Sequence, residues 1–191
     1  MNIETFSKEL KENSGMKEIP EDLMKLIDFQ INTSQPEYYS QGFSLFCDNY
    51  SNALETWSEE KEFLSRLYPF ATANGTGSFY CIWDDRSGRS LNEMPIVVFG
   101  DEGGVGIVAE NLRQLFHLLS YDIEVSVDWE SIYFYKDDDD YEANDDLELY
   151  LGWLKDNFGF DQISEPDEII KTAQEKYQAA FADWLKRYYK E

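Results

Sequence analysis

PIVVFGDEGGVGIVAENL, residues 95–112, places two apolar runs on either side of a turn that contains four glycines, and a helical pattern follows. Strand, glycine-rich loop and helix is also the order in which many proteins build a phosphate-binding site. The segment therefore predicts either a nucleotide site or a tight connection between two strands.

The charges in the loop favour the second possibility. Residues 100–106 contain no Lys or Arg, and Asp101 and Glu102 stand where a phosphate would lie. Each close carboxylate–phosphate contact would be repulsive by about 1 kcal/mol even in water. The glycine spacing also matches neither of the common nucleotide-binding motifs. The segment is predicted to be a strand–turn–strand unit in which glycine supplies positive φ.

Patterns on both sides of this segment extend the sheet and surround it with helices. Asn74-Gly75 separates two β-prone runs, which is typical of a hairpin, and residues 123–129 alternate as a strand does. Helical spacing predicts helices that begin near Pro20, Leu112, Leu147 and Ser164, with a short one over residues 3–12 and a possible strand in residues 42–50. Ser164 and Asp167 form a predicted capping pair. This order predicts an α+β fold: a twisted, mostly antiparallel sheet flanked by helices, with two C-terminal helices.

Composition restricts the class of protein. The chain of 191 residues suits one domain, and 39 Asp and Glu against 16 Lys and Arg give a formal charge of −23. Such a charge repels nucleic acid and anionic membranes and attracts basic partners. Cys47 and Cys81 form no C-x-x-C pair, and neither a signal peptide nor a membrane-spanning run is found. A cytoplasmic protein with reduced cysteines is predicted.

Signatures of catalysis are weak. His117 is the only histidine and lies on the polar side of its predicted helix, so we expect a solvated surface residue. Histidine and cysteine are too few for an ordinary zinc site, and a calcium loop starting at Asp138 fails at Ala143 and Leu149. No catalytic residue, cofactor or metal is predicted. A hydrolase that pairs two distant carboxylates stays open as an alternative.

The acidity is concentrated in residues 122–148, which hold twelve Asp and Glu and one Lys, so −11 falls within 27 residues. Aromatic residues are interleaved with these acids, an arrangement that suits a surface for a basic protein: charge for capture and rings for buried contact. Trp129 and Phe134 are expected in the core, whereas Tyr133, Tyr135 and Tyr141 could lie in the core or at the surface. The predicted partner-binding residues are Tyr135, Asp137, Asp138, Asp139, Asp140, Tyr141 and Glu142, with a second patch at Asp84, Asp85, Asp101 and Glu102.

Several segments together resemble the SUKH superfamily, the bacterial immunity proteins related to a fungal cell-wall-synthesis regulator. They are IPEDLMKLI, PFATANGTGSFYCIWDD and MPIVVFGDEGGVGIVAENLRQLFHLLSYD, and the tail from YLGWLKDNFGF resembles a longer bacterial branch of the group. The resemblance implies one SUKH-like domain over residues 1–191, with residues 1–18 a short N-terminal extension and residues 144–191 a C-terminal helical extension.

The same resemblance implies a function. Members of the group usually bind a cognate polymorphic toxin, often a nuclease, and have no enzymatic activity. We therefore expect a cytoplasmic immunity protein that occludes a basic toxin cleft, with no affinity for nucleic acid or membranes. The alternative is a general protein-interaction or regulatory module that has no toxin partner.

Overall fold

Residues 95–112 form two antiparallel strands and the start of a helix in the computed structural model, which describes residues 2–35, 37–46, 51–129, 131–137 and 139–189. The strands β4 (Ile96–Phe99) and β5 (Val105–Ala109) pair from Phe99↔Val105 to Ile96↔Ala109, so residues 100–104 connect them as a tight turn. We call these five residues the glycine turn. The prediction of a strand–turn–strand unit is confirmed.

The main sheet is a five-stranded antiparallel meander in the order β1-β2-β3-β4-β5. A separate two-stranded sheet joins β6 and β7, with Val125 opposite Phe134 and Val127 opposite Ile132. The strands are β1 Ser44–Leu45, β2 Leu67–Thr72, β3 Phe79–Trp83, β4 Ile96–Phe99, β5 Val105–Ala109, β6 Val125–Val127 and β7 Ile132–Phe134.

Helices flank the sheet, so the predicted α+β architecture with two C-terminal helices is confirmed. The helices are α1 Ile3–Ser14, α2 Glu21–Asn32, α3 Ser51–Glu55, α4 Lys61–Leu64, α5 Leu112–Leu119, α6 Leu147–Phe158 and α7 Pro166–Leu185, with a short 3-10 turn at Leu91–Glu93.

The long helix α7 covers the sheet along β5. Its apolar stripe, which contains Ile170, Tyr177 and Phe181, is buried, as the spacing of these residues predicts. Gln178 accepts a hydrogen bond from the Ile107 backbone N–H at 2.8 Å, which fixes the helix against the strand. The predicted Ser164–Asp167 capping pair is wrong: α7 begins at Pro166, and its N-cap residue makes no side-chain capping bond.

One continuous hydrophobic core joins the N-terminal and C-terminal parts of the chain. Phe6 and Leu10 of α1 are buried in the same cluster as the strands and α7. The start of the chain therefore shares the core of the sheet.

The ends of two helices follow common capping patterns. Asn111 caps α5 by accepting a hydrogen bond from the Gln114 N–H, and Gly159 ends α6 in the left-handed conformation with φ +75°.

The predicted hairpin at Asn74-Gly75 is present, but its loop spans residues 73–78 and is built by one side chain. The Asn74 Oδ1 atom accepts the N–H groups of Thr76, Gly77 and Ser78. The Asn74 amide also donates to the carbonyl oxygen of Val125 at 3.3 Å. The β2–β3 loop is thereby tied to β6, which brings the second sheet against one end of the strands of the first.

The glycine turn lies directly against β6. A Cβ atom built at Gly100 would come within 2.9 Å of the Val127 side chain, and one at Gly104 would overlap the carbonyl oxygen of Asp128. Only glycine lets the two backbones approach this closely.

The fit between the two sheets predicts opposite effects for two glycine substitutions. Gly104→Ala should lower the free energy of unfolding by about 1–3 kcal/mol, because the new methyl group has no room beside Asp128. Gly152→Ala is the matched control: it lies in α6 with no neighbour near a Cβ position, and it should raise stability by up to about 1 kcal/mol. Urea denaturation measures both changes. Equal stability of the two variants would contradict the packing described here.

Candidate protein-binding surface

Three large aromatic side chains stand out from the β6–β7 hairpin. Trp129 is 63% exposed, Tyr133 is 40% exposed and Tyr135 is 69% exposed. Ile132 and Phe134 alternate with the two tyrosines and pack against the core. One face of β7 therefore packs the hairpin against the core, and the phenol rings of Tyr133 and Tyr135 face the solvent.

The expectation that Trp129 belongs to the core is wrong. The alternation of β6 ends at Val127, the last residue with a cross-strand partner, and Trp129 lies in the connection between the two strands. Asp128 organises this connection: its carboxylate accepts the Ser131 N–H at 2.6 Å, and its own N–H donates to the Ser131 carbonyl. In the sequence, apolar and polar residues go on alternating as far as Trp129, although the strand itself ends at Val127.

The exposed indole lies against the glycine turn. A Cβ atom at Gly103, where φ is +103°, would stand 2.6 Å from the Trp129 ring. Because Gly103 has no side chain, the Trp129 ring can pack directly against the backbone of the glycine turn. Trp129 is therefore exposed on one side and held by backbone contact on the other.

The acidic loop, residues 137–142, follows β7. Asp137, Asp139, Asp140 and Glu142 are exposed, and Asp138 lies outside the described residues. The backbone N–H groups of Asp140 and Tyr141 donate to the Asp137 carbonyl, and the Asp139 N–H donates to the Asp137 carboxylate. These bonds form a turn at Asp137, and the exposed carboxylates of Asp139, Asp140 and Glu142 follow it.

The buried carboxylate of Asp122 fixes the end of this loop. It accepts hydrogen bonds from the Tyr141 hydroxyl at 2.8 Å, the Asn144 N–H at 2.9 Å, the Asn144 amide at 2.9 Å and the Gln41 N–H at 3.1 Å. The Asp122 backbone is left-handed, with φ +57°. Four donors from two segments thus meet at one carboxylate, which compensates for its burial.

Tyr141, which the sequence predicts as a partner anchor, has contacts inside the protein. Its hydroxyl bonds Asp122, and its ring lies under the Lys136 ammonium at 3.4 Å from the ring centre. Partial burial and the Asp122 carboxylate raise the pKa of the Tyr141 phenol. The Tyr141 side chain is half-buried and packs inside the protein, whereas the Tyr135 side chain, which precedes the acidic loop, is exposed to solvent.

The second predicted patch is divided between the two ends of the sheet. Asp101 and Glu102 are exposed on the glycine turn next to Trp129, and Asp101 accepts the hydroxyl hydrogen of Ser78 at 2.8 Å. Asp84 and Asp85 follow β3 at its other end, far from the hairpin along the strand.

The carboxylates of Asp84 and Asp85 have basic neighbours of their own. Asp85 pairs with Arg89 at 2.6 Å, and Asp84 lies 3.7 Å from Arg86. Partial burial raises the pKa of Asp85, but the hydrogen bonds from Ser87 and Arg89 outweigh this effect, and the pKa is lowered overall. This end of the sheet therefore presents paired charges.

We define the acidic–aromatic surface by the residues that remain together at the hairpin end of the sheet. Its members are Asp101, Glu102, Trp129, Tyr133, Tyr135, Asp137, Asp139, Asp140 and Glu142.

The histidine and the described cysteine do not belong to this surface. His117 is half-buried, not solvated as expected: its ring stacks on Phe160 at 4.5 Å, and Nε2 lies 3.0 Å from the Asp161 carbonyl oxygen. Cys81 is buried, which raises the pKa of its thiol, and Cys47 lies outside the described residues. No three His, Cys, Asp or Glu side chains among the described residues converge as metal ligands would.

Helix length and hydropathy bear on a membrane location. Within the described part of the chain, no helix combines the length and apolar character needed to cross a bilayer.

The environment of His117 predicts a pH effect on stability. Partial burial lowers the pKa of His117, and the Asp161 carbonyl opposes this only in part. Because the folded-state pKa is the lower one, the stabilisation is complete above about pH 6.5 and is lost as the pH falls through the folded-state pKa. The parent should lose more stability than His117→Phe, which retains a ring for stacking on Phe160, between about pH 7.5 and about pH 5.5. Denaturation midpoints at several pH values measure this difference, and parallel pH profiles would contradict it.

The Asp122 cluster predicts a second, larger effect. Asp122→Asn should lower the free energy of unfolding by about 2–3 kcal/mol, because an amide group would face hydrogen-bond donors in a buried site. It should also speed hydrogen exchange at Asn144. Asp139→Asn, an exposed carboxylate on the same loop, is the control and should change stability by less than about 0.5 kcal/mol. Similar losses in both variants would show that Asp122 has no special place in the loop.

Comparison with known proteins gives no relative from which a function can be transferred. No protein-family model, no curated protein and no solved structure matches the chain. The chemistry of the acidic–aromatic surface is therefore the basis for assigning a role.

Proposed function

We propose that the chain is a non-enzymatic protein-binding module that uses the acidic–aromatic surface to bind and occlude a basic protein. One observation supports this most directly: the three most exposed of the hairpin's aromatic rings lie between two groups of exposed carboxylates. Interfaces are enriched in tyrosine and tryptophan because these rings bury large area with little loss of side-chain entropy.

Charge supplies the capture step. A net charge of −23, of which −11 lies within residues 122–148, accelerates the approach of a positively charged partner. The carboxylates of the acidic loop would lie at the margin of the proposed interface, where charge acts mainly on the association rate. Tyr133, Tyr135 and Trp129 would then provide the buried contact that slows dissociation.

The class of partner that we propose is a toxin domain, most simply a nuclease. Nucleases carry basic clefts that follow the phosphate backbone, and an acidic surface can occupy such a cleft in place of nucleic acid. The SUKH resemblance of the sequence supports the same role, that of a cytoplasmic immunity protein. A regulatory module would use the same surface on a different partner.

The test uses the neighbouring reading frame. Where it encodes a large secreted protein with a basic C-terminal domain, the chain should protect cells that express this domain, and the purified proteins should form a complex. Association should slow steeply as salt rises from about 0.05 M to about 0.5 M, since the Debye length shrinks over this range. A complex that is indifferent to salt, or no complex, would contradict the proposal.

A charge variant locates the capture site. Neutralising the loop with Asp139→Asn, Asp140→Asn and Glu142→Gln should lower the association rate about tenfold at low salt and change dissociation little. The control removes the same number of charges from the α1 region, with Glu4→Gln, Glu12→Gln and Glu18→Gln, all exposed. If both triple variants slow association equally, net charge acts and the acidic loop has no special part.

A further inference from the structure

A pocket opens beside Trp129, between the glycine turn and the C-terminal end of α7. Its volume is about 380 Å³, near the lower end of the range for ligand pockets. Trp129 forms one wall, Phe181 and Leu185 of α7 form another, and Gly103 and Gly104 form the third. None of the sequence patterns indicates this pocket, because its walls come from three separate segments of the chain.

The walls are held in place by contacts that do not need a ligand. Gln178, also in the lining, is bonded to the Ile107 N–H at 2.8 Å, and Phe181 is fully buried. Tyr189 closes the far side and packs on Trp57, with ring centres 4.9 Å apart. Because the glycine turn supports Trp129, the ring is positioned as a wall before any partner arrives. Such preorganisation reduces the entropy lost on binding.

The surroundings of the pocket are acidic. Glu102, Asp128 and Asp183 are exposed, and each is the direct chain neighbour of a residue that lines the pocket. Lys186, a cation at the rim, lies 3.4 Å from the Asp183 carboxylate, which offsets its charge. The walls combine aromatic and aliphatic side chains with Gln178, Lys186 and glycine backbone, and Glu102 and Asp128 leave a negative charge beside them. A lining of this kind next to exposed carboxylates suits an apolar side chain that is carried on a positively charged segment.

We infer that this pocket receives one large apolar side chain, aromatic or aliphatic, from a basic segment of the partner protein. The inference rests on the proposed function, because it takes the partner to be basic, and it adds a defined anchor point. Buried pockets near the centre of an interface are where binding energy concentrates, and a single aromatic residue can bury 150–250 Å² there. The edge of the Trp129 ring and the mouth of the pocket would then be covered together.

Short capped peptides test the inference. The first has phenylalanine between two pairs of lysines, the second has glycine in its place, and the third has phenylalanine between two pairs of glutamates. Binding is followed by the NMR signals of the Gly103 and Gly104 amides and of the Trp129 indole N–H. We expect the first peptide to shift these signals and to bind about tenfold more tightly than the second.

Two variants connect the effect to the pocket. Ala182→Leu fills the pocket from the lining of α7 and should abolish the preference for phenylalanine over glycine, as should Trp129→Ala, which removes a wall. Leu149→Ala, an exposed apolar residue on α6, is the matched control and should leave the preference unchanged.

The outcomes separate this inference from the proposed function. Equal binding of the two lysine peptides, with shifts confined to the acidic loop, overturns the pocket anchor and leaves a purely electrostatic capture site. Binding of the glutamate peptide as tight as that of the first peptide overturns the selection for a basic partner, and with it the proposed function. Absence of any shift at Gly103, Gly104 and Trp129 overturns the anchor.

Discussion

The close approach of β6 to the glycine turn supports the candidate binding surface. Gly100 and Gly104 leave space for Val127 and for the backbone of Asp128, and Gly103 leaves space for the Trp129 ring. A methyl group at Gly104 would push the small second sheet away from the main one, because the neighbouring atoms there are backbone. The hairpin, the exposed indole and the pocket beside it all depend on this contact between backbones.

Asp122 plays the corresponding role at the other end of the hairpin. Its buried carboxylate joins the segment near Gln41 to the acidic loop through Tyr141 and Asn144. Carboxylates that repel one another would favour an extended, variable loop. The hydrogen bonds to Asp122 hold Tyr141 and Asn144, and a turn at Asp137 precedes them, so the exposed Asp139, Asp140 and Glu142 lie between or beside hydrogen-bonded residues.

Acidic residues occupy three different environments in this protein. At Asp84 and Asp85 the carboxylates are paired with nearby arginines, and at Asp122 the carboxylate is buried among donors. In the acidic loop the carboxylates face solvent beside exposed tyrosine. Only the last arrangement combines an attractive field with area that a partner can bury. A count of acidic residues treats the three alike, although their local environments differ.

The sequence by itself determined the local elements. Residues 95–112 predicted the β4–β5 unit because carboxylates and missing cations exclude phosphate from the glycine turn, and the 3.6-residue spacing predicted α5, α6 and α7. It also located the acidic segment and Tyr135. These features depend on near neighbours in the chain, and a pattern of residue types records such neighbours directly.

Only the tertiary structure decided which side chains reach solvent and which segments meet. Trp129 continues the alternation of a strand but lies beyond its last pair, Tyr141 bonds a carboxylate 19 residues away, and His117 stacks on Phe160. The pocket combines the glycine turn, a hairpin connection and α7. Burial and long-range hydrogen bonds depend on how distant elements pack, and the spacing of residues along one segment carries no record of that packing.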